Sequence, residues 1–459
     1  MTTFDITIAG AGLAGSECAL QLAESGMRVR LVEMKPHHRN EAQNSDNPAE
    51  LVCSNSLRAN GLHNAVGVLK EEMRRLGSYL MEVADATAVP AGGALAVDRE
   101  AFSARITKLL EDHPNITLEH REFGALDTGA DEDIIIATGP LTHGGLKDSL
   151  EALLPGNLYF YDAIAPIIAA DSIDRDVVFA CSRYGKGDGD DYLNVPLNEE
   201  EYHRFVEDIL AADTVPLRDF EDARYFEGCL PIEIICSRGP MTAAFGPMKP
   251  VGLNDPRTGE QPFAVIQLRK ENLEGTAYNL VGFQTKMTWP AQQKLLESLP
   301  GLGKVEVLRY GSIHRNMFIN APQLLTDGLA LKDHPRIRFA GQITGVEGYV
   351  ESIACGLALA YIIRMERQGE GVTPPPHTTS LGALLSHLHT PNEDFQPSNI
   401  HFGHFAPVPG KKMRKRFKKA FMAKRALEDI TAWRDSLNTP PVGPVRIQQT
   451  PEDSNGGTT

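Results

Sequence analysis

The stretch FDITIAGAGLAG, residues 4–15, joins a short run of β-forming residues to a glycine-rich turn. In a strand–turn–helix unit, such glycines let the backbone approach a pyrophosphate, whose charge is stabilised by free N–H groups and the dipole at the helix N-terminus. We therefore predict a strand over residues 4–9, a helix over residues 16–24 and a bound dinucleotide. The predicted cofactor-binding residues of the turn are Gly10, Ala11, Gly12, Leu13, Ala14 and Gly15.

An acidic residue follows the turn at the spacing typical of a ribose contact. A second strand is predicted over residues 28–32, and it leads directly to Glu33. A carboxylate there can accept hydrogen bonds from ribose hydroxyls, which favours FAD or NAD over a 2′-phosphorylated nucleotide. A glycine turn that serves only helix packing is the alternative, and the strand, the spacing and Glu33 together argue against it.

Later segments predict that the chain returns to the same sheet. Residues 133–139 (DIIIATG) and 336–341 (RIRFAG) each read as a buried strand that ends in a glycine turn. The predicted fold class is α/β, a Rossmann-like FAD-binding domain with an inserted α+β domain and a basic helical C-terminal segment. The predicted division is 1–185 for the first part of the FAD-binding domain, 186–303 for the insertion, 304–371 for the return, 372–437 for the connector and basic helix, and 438–459 for a disordered tail.

Composition restricts the compartment and the class of protein. The chain has 459 residues, of which 42% are hydrophobic, and no apolar run reaches the roughly 18 residues that span a bilayer. A strand already begins near the N-terminus, so no signal peptide is expected. The six cysteines show no CxxC or paired metal spacing, which is typical of reduced thiols. We expect a cytoplasmic protein without a membrane segment, a metal or a protein partner.

A basic block interrupts an otherwise acidic chain. The net charge is −15, yet residues 401–425 contain nine Lys or Arg residues and no Asp or Glu. Such a block predicts a phosphate-rich partner, because local positive charge governs nucleic-acid binding; a solvated helix without a ligand is the alternative. The candidate phosphate contacts are Lys411, Lys412, Arg414 and Lys415. Apolar residues at helical spacing predict a docked face along the same helix: Met413, Phe417, Phe421, Leu427, Ile430 and Trp433.

Two cysteines stand in contexts suited to chemistry. Cys53 lies among polar loop residues, and Cys229 lies between Gly228 and a proline two positions on. A thiol on a turn can be exposed and have its thiolate favoured by nearby N–H groups, as a nucleophile requires. A structural role remains open for both. The other cysteines are interpreted as core residues: Cys18, Cys181, Cys236 and Cys355.

A series of motifs, in matching order along the chain, identifies a family. They are GAGLAGSE (10–17), LVCSNSLR (51–58), NAVGVLKEEMRRLGS (64–78), VPAGGALAVDRE (89–100), FEGCLPIE (226–233), FGPMKPVGL (245–253), RYGSIHRN (309–316) and FAGQITGVEGYVES (339–352). Together they closely resemble the folate- and FAD-dependent tRNA (uracil-5-)-methyltransferases. The resemblance extends from about residue 4 to the basic segment near Glu428.

The resemblance implies an enzyme that forms 5-methyluridine in the T-loop of tRNA. Methylenetetrahydrofolate would donate the carbon, reduced FAD would carry and reduce it, and NAD(P)H would supply electrons. It assigns Cys229 as the nucleophile toward uracil C6 and Cys53 to the flavin side. Further residues implied by it are Gly341, Gln342 and Gly348 at the ribitol or isoalloxazine, and Tyr310, His314 and Arg315 at the folate or uracil, with a domain interface as the alternative for the last three.

Other functions share part of this pattern. A larger FAD enzyme that modifies wobble uridines in tRNA has similar glycine motifs, but the Cys229 motif and the shorter chain argue against it. A plain NAD(P)H flavoreductase would leave both cysteines structural. A flavin-containing RNA-binding module would bind tRNA without modifying it.

Overall fold

The elements of the fold are defined over most of the chain. The computed structural model describes residues 3–40, 42–126, 132–154, 158–187, 189–215, 230–392, 395–409 and 413–446. Within them the strands are β1 (Ile6–Ala9), β2 (Val29–Glu33), β3 (Ser56–Ala59), β4 (Ala88–Val89), β5 (Ala94–Val97), β6 (Ile116–His120), β7 (Ile134–Ile136), β8 (Leu158–Ala163), β9 (Ile167–Ala169), β10 (Phe179–Ala180), β11 (Tyr192–Leu197), β12 (Ala264–Lys270), β13 (Ala277–Leu280), β14 (Val307–Arg309), β15 (Ile313–Phe318) and β16 (Ile337–Phe339). The helices are α1 (Leu13–Glu24), α2 (Ala65–Arg75), α3 (Tyr79–Ala86), α4 (Arg99–Glu111), α5 (Gly144–Leu153), α6 (Glu199–Ala211), α7 (Ile232–Ser237), α8 (Thr242–Phe245), α9 (Trp289–Glu297), α10 (Ala321–Leu324), α11 (Tyr349–Arg367), α12 (Ser380–His389) and α13 (Lys415–Ser436).

A parallel sheet carries the glycine-rich turn at its centre. Its strand order is β16–β7–β1–β2–β6, and each neighbouring pair is parallel. The central strands β1 and β7 are fully buried, as expected when helices cover both faces of a parallel sheet. Strand β16 pairs with β7 although about 200 residues separate them. The α/β Rossmann-like class is confirmed.

Helix α1 starts three residues earlier than predicted. It begins at Leu13, with Gly12 as its N-cap residue, and it ends at Glu24 as predicted. The predicted start at residue 16 is wrong because the glycine pattern was interpreted as a loop up to Gly15, whereas Leu13 to Gly15 already have helical conformation. Strand bounds also shift slightly, since β1 starts at Ile6 and β2 ends on Glu33 itself.

A second, antiparallel sheet builds another core. Its strand order is β10–β11–β12–β13–β9–β14, and helices α6 and α9 pack on it through residues such as Tyr202, Phe205 and Leu296. Three of its strands, β9, β10 and β14, lie outside the predicted segment 186–303. Strands β9 and β14 pair with strands that are distant in sequence, and β10 is only two residues long, so local patterns did not mark them. The division of the chain into domains remains a prediction.

The buried residues of the basic helix α13 begin at Met422. Leu427, Ile430 and Trp433 are buried, as the predicted apolar face requires. Met413 and Phe417 are 44% and 64% exposed, and Phe421 is also exposed, so the prediction of a continuous docked face is wrong. The buried half packs against α2, which is too short to cover the whole of α13.

The beginning of the predicted disordered tail is structured. Thr439 is fully buried, and its hydroxyl donates to Gln368. Buried Arg364 donates to the carbonyl of Pro440, and the N–H of Arg446 donates to the carbonyl of Arg74 at 3.1 Å. Residues 438–446 are therefore held against the body by side-chain and backbone hydrogen bonds, which a polar sequence without periodicity does not reveal. Residues 447–459 lie outside the described part. No helix among the described residues is long and apolar enough to cross a membrane.

Candidate functional site

A deep cleft lies at the carboxyl ends of β1, β2, β7 and β16. It encloses about 1180 Å³, part of which is open to solvent. This edge of an open α/β sheet is where such folds bind nucleotides. The cleft brings together most of the predicted cofactor residues, namely Gly10, Ala11, Gly12, Leu13, Ala14, Glu33, Gly341 and Gln342. Gly15 lies beneath the turn, and Gly348 is the N-cap residue of α11.

The glycines of the turn serve different purposes. A Cβ on Gly15 would lie 1.9 Å from the carbonyl oxygen of Gly10, so that position must be glycine for the turn to pack. Gly10 itself has φ +97°, which favours glycine. Gly12 has an ordinary φ of −72°, and a Cβ there would meet only the carbonyl oxygen of Ala137, at 3.9 Å. Among the described residues, no contact requires glycine at position 12, and the cofactor contact at this position stays a prediction.

Glu33 braces the turn as well as facing the cleft. Its carboxylate accepts the N–H of Ala11 at 2.9 Å and the N–H of Lys35 at 3.1 Å. Buried Lys35 is in turn paired with Glu50 at 3.5 Å. Because each carboxylate oxygen has further lone pairs, Glu33 can still accept a ribose hydroxyl, as predicted.

The second predicted cofactor segment forms a tight turn between β16 and α11. Gly341, Gly345 and Gly348 all have positive φ. The amide of Gln342 donates to Glu347 at 2.6 Å, which fixes its side chain at the wall of the cleft. Helix α11 begins directly after this turn, so its N-terminal N–H groups face the same space as those of α1.

Cys53 lies in a loop beside the cleft. Its side chain is half-buried, and its neighbour Val52 lines the cleft. On one side of the loop, Arg99 donates to the carbonyl of Leu51 at 2.6 Å. On the other side, the Asn55 amide donates to the carbonyl of Lys270 on β12 at 2.8 Å. The loop is therefore held by α4 and by the second sheet.

Cys229 lies outside the described residues, but both ends of its segment are placed. The N–H of Val215 donates to the carbonyl of Lys286 at 2.8 Å, and the N–H of Ile232 donates to the carbonyl of Gln284 at 2.7 Å. The described residues on either side of the segment 216–229 therefore both bond to the stretch from Gln284 to Lys286. Next to this anchor, burial raises the pKa of Glu233, whose carboxylate accepts hydrogen bonds from Thr285 and Lys286.

The predicted folate or uracil residues are only partly described. Tyr310 donates its hydroxyl to Gln293 at 2.9 Å and stacks on Trp289 at 5.4 Å between ring centroids. Trp289 is 65% exposed. Sequence reasoning missed it because no motif marks it and only the fold brings it onto Tyr310. His314 and Arg315 lie on β15, and their side chains are outside the described part.

The basic segment is also described in part. Arg414 is the N-cap residue of α13, whereas Lys411, Lys412 and the side chain of Lys415 are outside the described residues. Arg425 has a structural role, because its guanidinium donates to the carbonyl of Ala406 at 2.5 Å. The assignment of this segment to tRNA remains a prediction.

A group of potential metal ligands lies at the rim of the cleft. Ligand-type atoms of His38, Glu122 and His143 lie within 4.8 Å of one another. His38 and Glu122 are exposed, and the ring of His143 contacts the sulfur of Met34 at 2.9 Å. Among the described residues, no further His, Cys, Asp or Glu joins this group. The expectation of no metal stays a prediction.

A histidine cluster packs behind the second turn and makes stability sensitive to acid. The rings of His401 and His404 stack at 3.7 Å. Burial, and then the neighbouring histidines, lower the pKa of His404 to about 4 from its usual 6.5. The unfolded chain binds this proton more tightly, so stability present above pH 6.5 is lost as the pH falls toward 4.

We therefore expect the Tm of the wild-type protein to fall between pH 7 and pH 5. In His404→Phe, which keeps a stacked ring but has no proton to bind, this fall should be smaller. Thermal unfolding at both pH values tests it, and equal pH dependence in the two proteins would contradict it.

Comparisons with known proteins agree with this fold. The family model for glucose inhibited division protein A matches residues 5–371. The methylenetetrahydrofolate–tRNA-(uracil-5-)-methyltransferase TrmFO of Geobacter sulfurreducens is 55% identical over 429 residues, which cover 93% of this chain and 98% of that protein. The TrmFO protein of Myxococcus xanthus is 51% identical over 97% of this chain and 98% of its own length.

A solved structure supports the architecture. The structure of Aquifex aeolicus GidA superposes with a TM-score of 0.68, covering 94% of this chain and 73% of that chain. At 15% sequence identity, this likeness concerns the fold alone.

Proposed function

We propose the function of this chain from the family to which it belongs. The chain is a member of the glucose inhibited division protein A family and, within it, of the methylenetetrahydrofolate–tRNA-(uracil-5-)-methyltransferases TrmFO. The chain is a folate-dependent tRNA methyltransferase that forms 5-methyluridine in the T-loop. The observation that carries this is an identity of 55% across nearly the full length of a curated relative.

The cleft suits FAD. The open Cβ position at Gly12 provides room for a pyrophosphate at the N-terminus of α1. Glu33 would accept the ribose hydroxyls, and the turn that carries Gln342 would hold the flavin half. When bound, FAD supplies reducing equivalents and a carrier for the one-carbon unit from methylenetetrahydrofolate.

The two thiols divide the remaining chemistry. In this proposal the Cys229 thiolate adds to C6 of the uracil, so that C5 becomes nucleophilic, and it leaves by elimination after C5 has gained its substituent and lost its proton. Cys53, beside the cofactor cleft, serves the flavin side. The position of Cys53 next to a lining residue, Val52, supports this assignment.

One experiment tests the proposed function against its alternatives. Purified protein is incubated with unmodified tRNA transcript, NADPH and methylenetetrahydrofolate labelled in its methylene group, and label is mapped in the RNA. We expect label in the T-loop uridine and none in a transcript with cytidine at that position. Label at the wobble position, NADPH oxidation without label, or binding without either would favour the wobble enzyme, the flavoreductase or the RNA-binding module, respectively.

The basic segment is proposed to bind the tRNA backbone. Replacing Lys411, Lys412, Arg414 and Lys415 together by glutamine should weaken tRNA binding and reduce the slope of log K against log salt by up to about 3. FAD content should not change, because phosphate contacts position the substrate only.

A control variant separates this effect from a general loss of charge. Lys108 and Lys147 form surface pairs on α4 and α5, and their replacement by glutamine should leave the salt slope unchanged. An unaltered affinity and slope in the four-residue variant would indicate a merely solvated segment.

A further inference from the structure

A buried tyrosine holds the backbone of the Cys53 loop. Tyr349 is the first residue of α11 and lines the cofactor cleft. Its phenol oxygen accepts the N–H of Cys53 at 2.5 Å and the N–H of Ser54 at 3.1 Å. The tyrosine and Cys53 are 296 positions apart in the chain, so only the tertiary fold brings this hydroxyl to the thiol-bearing loop.

The hydroxyl of Tyr349 retains a proton that it donates to no acceptor among the described residues. Burial, followed by the nearby Cys53 thiol, raises the pKa of Tyr349, so the phenol is neutral at physiological pH. A phenol has one proton to donate and can accept through its lone pairs. The oxygen already accepts two N–H groups, and among the residues that the structure describes it donates to no acceptor. Its O–H is available to a group bound in the cleft.

The rest of the loop is fixed at its ends rather than at the thiol. Arg99 donates to the carbonyl of Leu51 and pairs with Glu271 at 2.7 Å. Arg269 on β12 donates to the side-chain oxygen of Asn55 at 2.9 Å. Between these two anchors, the amides of Cys53 and Ser54 have the Tyr349 oxygen as their acceptor. The orientation of the thiol therefore depends on this hydroxyl.

We propose that Tyr349 is the positioning residue for Cys53, with its oxygen fixing the Cys53 and Ser54 amides and its O–H donating to the group bound in the cleft. The identity of that group, a flavin or a folate, rests on the proposed function. Holding a reacting group within a fraction of an ångström of its productive position is worth up to about a hundredfold in rate.

Hydrogen exchange and turnover of the FAD-loaded full-length protein test this proposal. In Tyr349→Phe, the amides of Cys53 and Ser54 should exchange about tenfold faster because their acceptor is lost. The kcat for methyl transfer should fall by about tenfold or more while the KM for tRNA and the FAD content stay the same.

Tyr361 provides a matched control. It is also a buried tyrosine of α11, but its hydroxyl donates to the carbonyl of Leu76 at 2.9 Å and does not line the cleft. Tyr361→Phe should leave the amide exchange of the Cys53 loop unchanged, and it should not lower kcat relative to the KM for tRNA.

Several results would overturn the positioning role. Normal exchange of the Cys53 and Ser54 amides in Tyr349→Phe would do so, and so would a loss of turnover that Tyr361→Phe reproduces. Loss of FAD without faster exchange of the Cys53 and Ser54 amides would assign Tyr349 to cofactor binding alone. If Tyr349→Phe does not fold, amide exchange of the wild-type protein tests the contact instead. Unprotected amides at Cys53 and Ser54 would refute it. Exchange needs no turnover, so an inactive wild-type protein would contradict the proposed function alone.

Discussion

Replacing Gly12 by valine is expected to give a folded protein that has lost its FAD. The backbone at Gly12 is ordinary, with φ −72°, and a Cβ added there meets no described atom closer than the carbonyl oxygen of Ala137, at 3.9 Å. The branched side chain would instead occupy the space through which a pyrophosphate approaches the N-terminus of α1. We expect FAD affinity to fall by about a hundredfold or more, which corresponds to about 3 kcal/mol.

Flavin absorbance after purification and titration of the apoprotein with FAD measure this effect. Gly371→Val is a control for adding the same side chain where no atom lies within 4 Å, and it should retain the cofactor. Gly15→Ala should instead destabilise the fold itself, because its Cβ would lie 1.9 Å from a carbonyl oxygen. Full flavin absorbance in Gly12→Val would place the pyrophosphate elsewhere.

Cys229→Ala is expected to abolish methyl transfer while sparing the flavin reactions. If the Cys229 thiolate adds to uracil C6, its removal leaves C5 without activation. The variant should form no covalent complex with tRNA that carries 5-fluorouridine, because fluorine blocks release only after a thiol has added. FAD content and NADPH oxidation should survive, since neither requires an activated uracil.

Cys53→Ala distinguishes the two thiols. It should also impair methyl transfer, but through the flavin side, so trapping of the fluorinated tRNA by Cys229 should persist if addition precedes carbon transfer. Gel shift of the tRNA under denaturing conditions measures the adduct in both variants. An adduct that forms normally in Cys229→Ala and disappears only in Cys53→Ala would reverse the assignment.

Local signals predicted the nucleotide half of the molecule well. The glycine turn, β1, β7 and β16 were recognisable because a buried parallel strand is a short apolar run and a tight turn needs glycine. The errors at α1 and at the strand ends are small. They arise because glycine marks both a turn and the close packing of a helix, and only packing distinguishes the two.

The second sheet and the C-terminal region were harder to predict. Strands β9 and β10 are only three and two residues long, and the partners of β9, which are β13 and β14, are distant in sequence. The predicted apolar face of α13 is periodic along its length, but Phe417 and Phe421 are exposed, and the buried residues of the helix begin at Met422. Exposure of Phe417 and docking of the segment at Thr439 depend on which surfaces meet, not on periodicity.

The sequence by itself determined the dinucleotide turn, the α/β class, the family and the two candidate thiols, because each depends on residues close together in the chain or on motifs in a fixed order. Only the tertiary structure decided that Gly12 is open toward a ligand while Gly15 is required by the protein, and that Tyr349 holds the loop of Cys53. Such contacts join residues up to hundreds of positions apart. Their geometry follows from how the sheets and helices pack, which no local pattern of residues encodes.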